Sequence, residues 1–158
     1  MRRKYKDYSF VGIQLLLFIV YILAPNYLLL NLSKFWNTAG LATAMLGFLI
    51  ILVAMLQLNT NISPFPTPTK NSTLLKTRVY YYVRHPIYSG ILIATLGLTF
   101  YSNNGFRLLI TSALLILFYF KSNYEEQLLK TKFSDYKNYM LQTDRFFPSL
   151  KHLFHLNK

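Results

Sequence analysis

Four long stretches without a formal charge, set between clusters of Lys and Arg, constrain this chain more than any other feature. Tyr8 to Ser33 is 26 residues without Lys, Arg, Asp or Glu, and Phe35 to Thr69 is 35, apolar mainly from Ala39 to Leu58. Pro86 to Phe106 gives 21 more, and Leu108 to Phe120 a further 13. A helix needs about 17–25 apolar residues to cross a bilayer. The first three runs meet that length, and the fourth does so with Arg107 and Lys121 snorkelling from its ends. Its pattern continues through "SNYEEQLLK", which predicts one long helix that leaves the bilayer near Lys121. Short apolar runs also occur in soluble cores, so that alternative stays open for the third and fourth segments. The expected fold is an all-α integral membrane protein with about four transmembrane helices, over 9–32, 38–58, 86–104 and 106–124, and a cytoplasmic tail over 125–158. A chain of 158 residues is long enough for one domain.

Composition agrees: only 14% of the residues are charged, against about a quarter in a soluble domain. The formal charge of +12 by itself suggests a nucleic-acid partner, but the placement of the basic residues removes that reading. Arg2, Arg3, Lys4 and Lys6 precede the first span, and Lys70, Lys76, Arg78 and Arg84 lie between the second and third. Seven follow the fourth apolar run, whereas the two remaining connections hold only Lys34 and Arg107. That asymmetry predicts both termini and the middle loop in the cytoplasm, of the plasma membrane or of the inner membrane in a bacterium. The charge then faces anionic lipid headgroups, with no nucleic acid involved. The basic start "MRRKYKDYSF" precedes an apolar run too long for a signal peptide, which predicts a retained first span. Cysteine is absent, which excludes disulfides, zinc–thiolate sites and a cysteine nucleophile.

The five acids, Asp7, Glu125, Glu126, Asp135 and Asp144, and all three histidines fall on the expected cytoplasmic side. A polar site therefore belongs at that membrane face, built from the middle loop and the tail. In "RHPIYSG" (84–90), Pro86 suits the first turn of a helix, where its missing N–H costs nothing. The third span then begins with free N–H groups, an anion site to which Arg84 and His85 add donors. Gly90 and Ala94 form a small-xxx-small pair that permits close helix packing. The competing reading is an interfacial anchor, with Arg snorkelling and Tyr at the belt. Glu125 and Glu126 sit just outside the bilayer and call for cationic partners; Lys121, four residues before Glu125, is the simplest one. The loop "SPFPTPTKNST" (63–73) is broken by prolines, and its Asn71-Ser72-Thr73 glycosylation acceptor is meaningless on the cytoplasmic side. The segment "FSDYKNYMLQTDRFFPSL", with Tyr136, Tyr139 and Arg145, reads as an amphipathic surface segment. His152 and His155 lack an evident third ligand, so no metal is expected.

"LLKTRVYYYVRHPIYSG", a helix ending in "EEQLL", then "FSDYKNY" and "RFFP" together resemble the isoprenylcysteine carboxyl methyltransferases, relatives of the phospholipid N-methyltransferases. The motifs cover roughly residues 63–148; the first two spans match only as generic membrane helices. The resemblance implies an integral membrane enzyme that uses S-adenosylmethionine. It implies a cofactor pocket formed by the middle loop, the start of span 3, the end of span 4 and the tail. By position it assigns the cofactor to Leu74, Leu75 and Tyr80, to the turn His85, Pro86, Ile87 and Tyr88, and to the acidic pair, with Glu125 foremost and Glu126 beside it. The family usually has Gly before the tyrosine equivalent to Tyr80, where this chain has Arg78-Val79. The substrate-binding arginine of the eukaryotic enzymes looks like Lys121 here, which keeps the charge and loses the bidentate fork.

The residue chemistry agrees with that assignment. A helix N-terminus with His85 suits the cofactor's carboxylate, and Glu125 its ammonium or ribose. The sulfonium already activates the methyl group, so positioning an ionised acceptor supplies most of the rate. Lys121 and Arg84 are the candidate catalytic residues. The expected acceptor is an amphiphilic, prenyl- or lipid-like carboxylate entering from among the membrane lipids, with an amine second. Two other classes remain: an NADPH-dependent reductase related to the sterol reductases, and a non-enzymatic membrane protein.

Overall fold

The computed structural model describes residues 4–26 and 28–149. The described chain is helical, with α1 over Tyr5–Ile22, α2 over Lys34–Leu58, α3 over Val79–Tyr82, α4 over Pro86–Tyr101, α5 over Gly105–Lys132 and α6 over Tyr136–Gln142. Among these residues the only strand-like pairings are two isolated bridges, Leu29 with Asn104 and Val83 with Asp144. Three helices, α1, α2 and α5, are long and apolar enough to cross a membrane; α4 is apolar but has 16 residues. Arg2 and Arg3, and the tail from residue 150 with His152 and His155, lie outside the described residues.

The helix boundaries correct several expectations. The first helix covers 5–22 rather than 9–32. Pro25 explains the early stop, because it cannot donate to a continuing helix and disfavours helical backbone just before it. The chain from Leu28 to Leu32 then runs back across the end of the molecule, where Gly105 N–H donates to the Leu28 carbonyl (2.7 Å) and Leu32 N–H to the Asn103 side chain (3.0 Å). The third helix ends at Tyr101 rather than 104. Asn103 turns the chain at φ 54°, a left-handed conformation that Asn tolerates. Asn104 then caps α5, accepting from the N–H groups of Phe106 and Arg107. The long fourth helix is present as expected, but it continues to Lys132, past the boundary assigned to the tail.

α2 and α4 are held by small residues. Both carry the spacing Gly-x3-Ala-x2-Gly, as Gly40, Ala44, Gly47 and as Gly90, Ala94, Gly97. The helices run antiparallel with backbones nearly touching: a Cβ on Gly47 would lie 2.7 Å from the Gly90 carbonyl oxygen, and one on Gly97 would lie 2.6 Å from that of Gly40. Such approach allows dispersion contact between backbones that larger side chains would forbid. On the other side of α4, Leu92 packs with Leu114 and Phe118 of α5, and Leu17 and Phe18 of α1 close that cluster. Tyr21 of α1 also donates to the Thr95 carbonyl of α4 over 2.5 Å. The helices thus stand in the order α2, α4, α5, α1, and the middle loop and the tail lie over one end.

Candidate functional site

The middle loop is fastened from three sides. The Thr67 N–H and hydroxyl both donate to the buried carboxylate of Asp7, each over 2.8 Å. That carboxylate sits in the first turn of α1, where the helix dipole favours it. Lys121 donates to the Pro64 carbonyl (3.0 Å) and to Gln14 Oε1 (2.6 Å). Lys132 donates to the Thr69 carbonyl and to the Ser72 hydroxyl. The prolines of this segment keep it out of a helix, and these contacts hold it over one end of α2, α4 and α5.

Lys121 therefore corrects an expectation. It does not snorkel to a membrane edge, because it is 1% exposed. Among the described residues its ammonium bonds Gln14 and Pro64 rather than the helical neighbour Glu125.

Pro86 takes the first position of α4 with His85 as the N-cap residue, as the sequence suggests. The tail docks beside this turn: Arg84 N–H donates to the Asp144 carbonyl (2.8 Å) and His85 N–H to that of Arg145 (3.0 Å). Tyr136 and Tyr139 are buried, which overturns the expectation of an amphipathic surface segment. The Tyr139 hydroxyl donates to the Tyr80 carbonyl. Burial pushes Tyr139 up to about 12. Burial, with Glu126 and Glu125 nearby, lifts Tyr136 above the ordinary phenol range. Burial, then Glu125, does the same to Tyr80. These three phenols stay neutral donors and are not bases near pH 7.

The two adjacent glutamates have opposite surroundings. Glu126 is enclosed by two guanidinium groups, Arg84 with Nε at 2.9 Å and Arg145 at 3.0 Å, and by the His85 ring, with Nε2 at 3.2 Å. Arg84 further donates to the Met140 and Thr143 carbonyls. This cluster ties α5 to the turn before α4 and to the tail. Glu125 accepts from the Tyr88 hydroxyl over 2.9 Å and lies 3.9 Å from His85 Nδ1, and its side chain is 26% exposed. Tyr88 is stacked between His85 (centroids 5.3 Å apart) and Phe118 (4.7 Å), which fixes its ring.

Two cavities meet at these residues. The smaller, about 120 Å³, lies under the proline loop and includes Leu74, Leu75, Phe133 and Tyr136 in its wall. The larger, about 270 Å³, reaches between the helices past Pro86, Ile87, Tyr88 and Met55 to Lys121 and Gln14. Tyr80, Arg84, His85 and Glu125 line both. Every expected site residue except Glu126 thus borders a cavity. Gln14 was not anticipated, although a lone amide inside "SFVGIQLLLFIV" is itself a signal that a polar partner is near. Among the described residues no group of His, Cys, Asp and Glu is suited to a metal.

The fold is that of a known intramembrane enzyme. The solved structure of a eukaryotic intramembrane Ras methyltransferase, an isoprenylcysteine carboxyl methyltransferase, superposes with a TM-score of 0.69 at 21% identity. The match covers 96% of this chain and 55% of that one, so the chain spans about half the length of its structural neighbour. No curated protein matches the chain. The family model described as phospholipid methyltransferase matches residues 35–136, so the chain belongs to that family.

Proposed function

We propose that this protein transfers a methyl group from S-adenosylmethionine to the carboxylate of an amphiphilic, prenyl- or lipid-like acceptor at the cytoplasmic face of its membrane. The observation that carries the reading is the meeting of a loop-covered cavity and an interhelical cavity at Glu125. The donor set suits the cofactor: Glu125 retains lone pairs toward the cavities and matches an ammonium or ribose hydroxyls, while the N–H groups at the start of α4 match a carboxylate. Leu74, Leu75, Tyr80, His85, Pro86, Ile87 and Tyr88 complete that wall. When bound, S-adenosylmethionine supplies a methyl group already activated by its sulfonium.

The chain's own residues bind, orient and exclude water. Lys121 holds a positive charge in the larger cavity, where it would attract the acceptor's anionic head. Arg84 and Glu126 act as positioning residues that lock the turn and the tail around the pocket. The proline loop, fixed by Asp7, covers the site against solvent. A single domain with α4 as a fourth span and both termini cytoplasmic completes this reading.

Titrating the purified protein with S-adenosylmethionine and with NADPH tests it. Saturable binding of the sulfonium cofactor is the expected result; binding of NADPH instead would establish the reductase alternative, and binding of neither would remove the enzyme reading.

A further inference from the structure

Gln14 stands in the apolar part of α1, between Ile13 and Leu15. An amide in such surroundings costs free energy unless its hydrogen-bonding groups are used. One of them is used: Lys121 Nζ donates to Gln14 Oε1 over 2.6 Å. An ammonium has donors and no acceptor, so only the carbonyl end of the amide can meet it. The NH2 end is not engaged by Lys121, and it makes no hydrogen bond to another described residue. Of the three N–H groups of Lys121, Gln14 and the Pro64 carbonyl take two, and the ammonium also stands 5.3 Å from the Tyr88 ring centroid, a contact that leaves the third N–H without a hydrogen-bond acceptor among the described residues. Both side chains line the larger cavity. The Gln14 NH2 and the third N–H of Lys121 therefore face the cavity without a hydrogen-bond acceptor of their own among the described residues.

We propose that Gln14 is a specificity-determining residue, whose amide NH2 joins the remaining N–H of Lys121 in a two-point donor site for the oxyanion head of a membrane-borne acceptor. The proposal rests on the methyl-transfer reading above. It adds a residue from α1, which lies wholly before the family match at 35–136. A carboxylate presents lone pairs to both groups. An alkylammonium presents none to them and brings a second cation beside Lys121, while the one carboxylate of that wall, Glu125, is the group the proposed reading gives to the cofactor. The site thus discriminates by head group between amphiphiles of equal chain length. Gln14→Leu deletes the donor, and Gln14→Glu places an anion where the acceptor's own anion belongs.

The test uses the full chain in lipid nanodiscs, with binding of dodecanoate, dodecyl phosphate and dodecylamine measured beside that of S-adenosylmethionine. The parent is expected to bind dodecanoate at least tenfold more tightly than dodecylamine. Gln14→Leu should lose most of that preference and Gln14→Glu all of it, with the S-adenosylmethionine dissociation constant within twofold of the parent. Tighter binding of dodecyl phosphate with the same dependence on Gln14 would still support the site and make phosphate its head group. Two results would overturn the proposal: equal dodecanoate affinity in parent and Gln14→Glu, or joint loss of dodecanoate and S-adenosylmethionine binding in both variants, which marks a merely structural residue. A parent with Gln14-dependent dodecanoate binding and no S-adenosylmethionine binding would retire the methyl-transfer reading and leave the oxyanion site standing. The converse, cofactor binding without head-group preference, would retire Gln14 alone.

Discussion

Asp7 and Thr67, sixty residues apart in the chain, are joined twice: both the N–H and the hydroxyl of Thr67 donate to the one carboxylate. The cover of the candidate site is therefore fastened to the first helix by a buried charge. Asp7→Asn keeps the shape, removes the charge and replaces one of the two acceptor oxygens by an NH2, which should cost about 1–3 kcal/mol. Hydrogen exchange at Thr67 should accelerate more than exchange in α2 or α4. Unchanged protection at Thr67 would show that the other anchors, Lys121 and Lys132, suffice.

Glu125 and Glu126 should separate cleanly. Glu126→Gln leaves Arg84 and Arg145 facing a neutral side chain in a buried cluster, at a cost of about 3 kcal/mol or more. A lower melting temperature is its expected signature. Glu125→Gln should leave the melting temperature nearly unchanged and weaken S-adenosylmethionine binding by about 1–3 kcal/mol, or roughly 5- to 150-fold. A reversed pattern would exchange their roles.

The contact between α2 and α4 admits a direct comparison of two glycines. A Cβ on Gly97 would lie 2.6 Å from the Gly40 carbonyl oxygen, whereas one on Gly12 of α1 meets nothing within 4 Å. Gly97→Ala should destabilise by about 1–3 kcal/mol through overpacking. Gly12→Ala should be neutral or stabilise by up to about 1 kcal/mol, since Ala is the better helix former. Thermal unfolding of both variants in one detergent decides it.

Much of this was readable in the residues. Pro86 announces a helix start, and the charge-free runs announce the long helices. The basic loop and the acidic pair together mark one end as the chemical one. What stayed hidden depends on partners distant in sequence. Neighbouring positions on a helix point about 100° apart, so nothing local says that Glu126 meets the arginines while Glu125 meets a cavity. Lys121 finds Gln14 at a separation of 107 residues. Its obvious neighbour, four positions along, misled. The matching Gly-x3-Ala-x2-Gly spacings in α2 and α4 were visible, but only the fold shows that they face each other.

Arg78 carries a conformational cost that can be relieved. Its φ of 56° with ψ of −123° suits glycine, because a Cβ is strained there. Arg78→Gly should therefore stabilise by about 1 kcal/mol, the relief of strain exceeding the added freedom of the unfolded chain. A lower melting temperature for Arg78→Gly would mean that the guanidinium makes a contribution larger than the strain.

Orientation is testable without purification. The charge asymmetry predicts that a reporter fused after Lys158 is active in the cytoplasm. Activity confined to the opposite side would invert the assignment of the site to the cytoplasmic face.

The glycine and alanine seam between α2 and α4 has a mechanical consequence. Such residues have no side-chain torsions, so that seam cannot loosen by rotamer changes and behaves as a rigid strut. An amphiphile arriving from the bilayer cannot part those two helices. The larger cavity is walled by Gln14 of α1 on one side and by Met55 and Leu58 of α2 on the other. On the proposed reading, a hydrocarbon tail would reach that cavity without passing between α2 and α4.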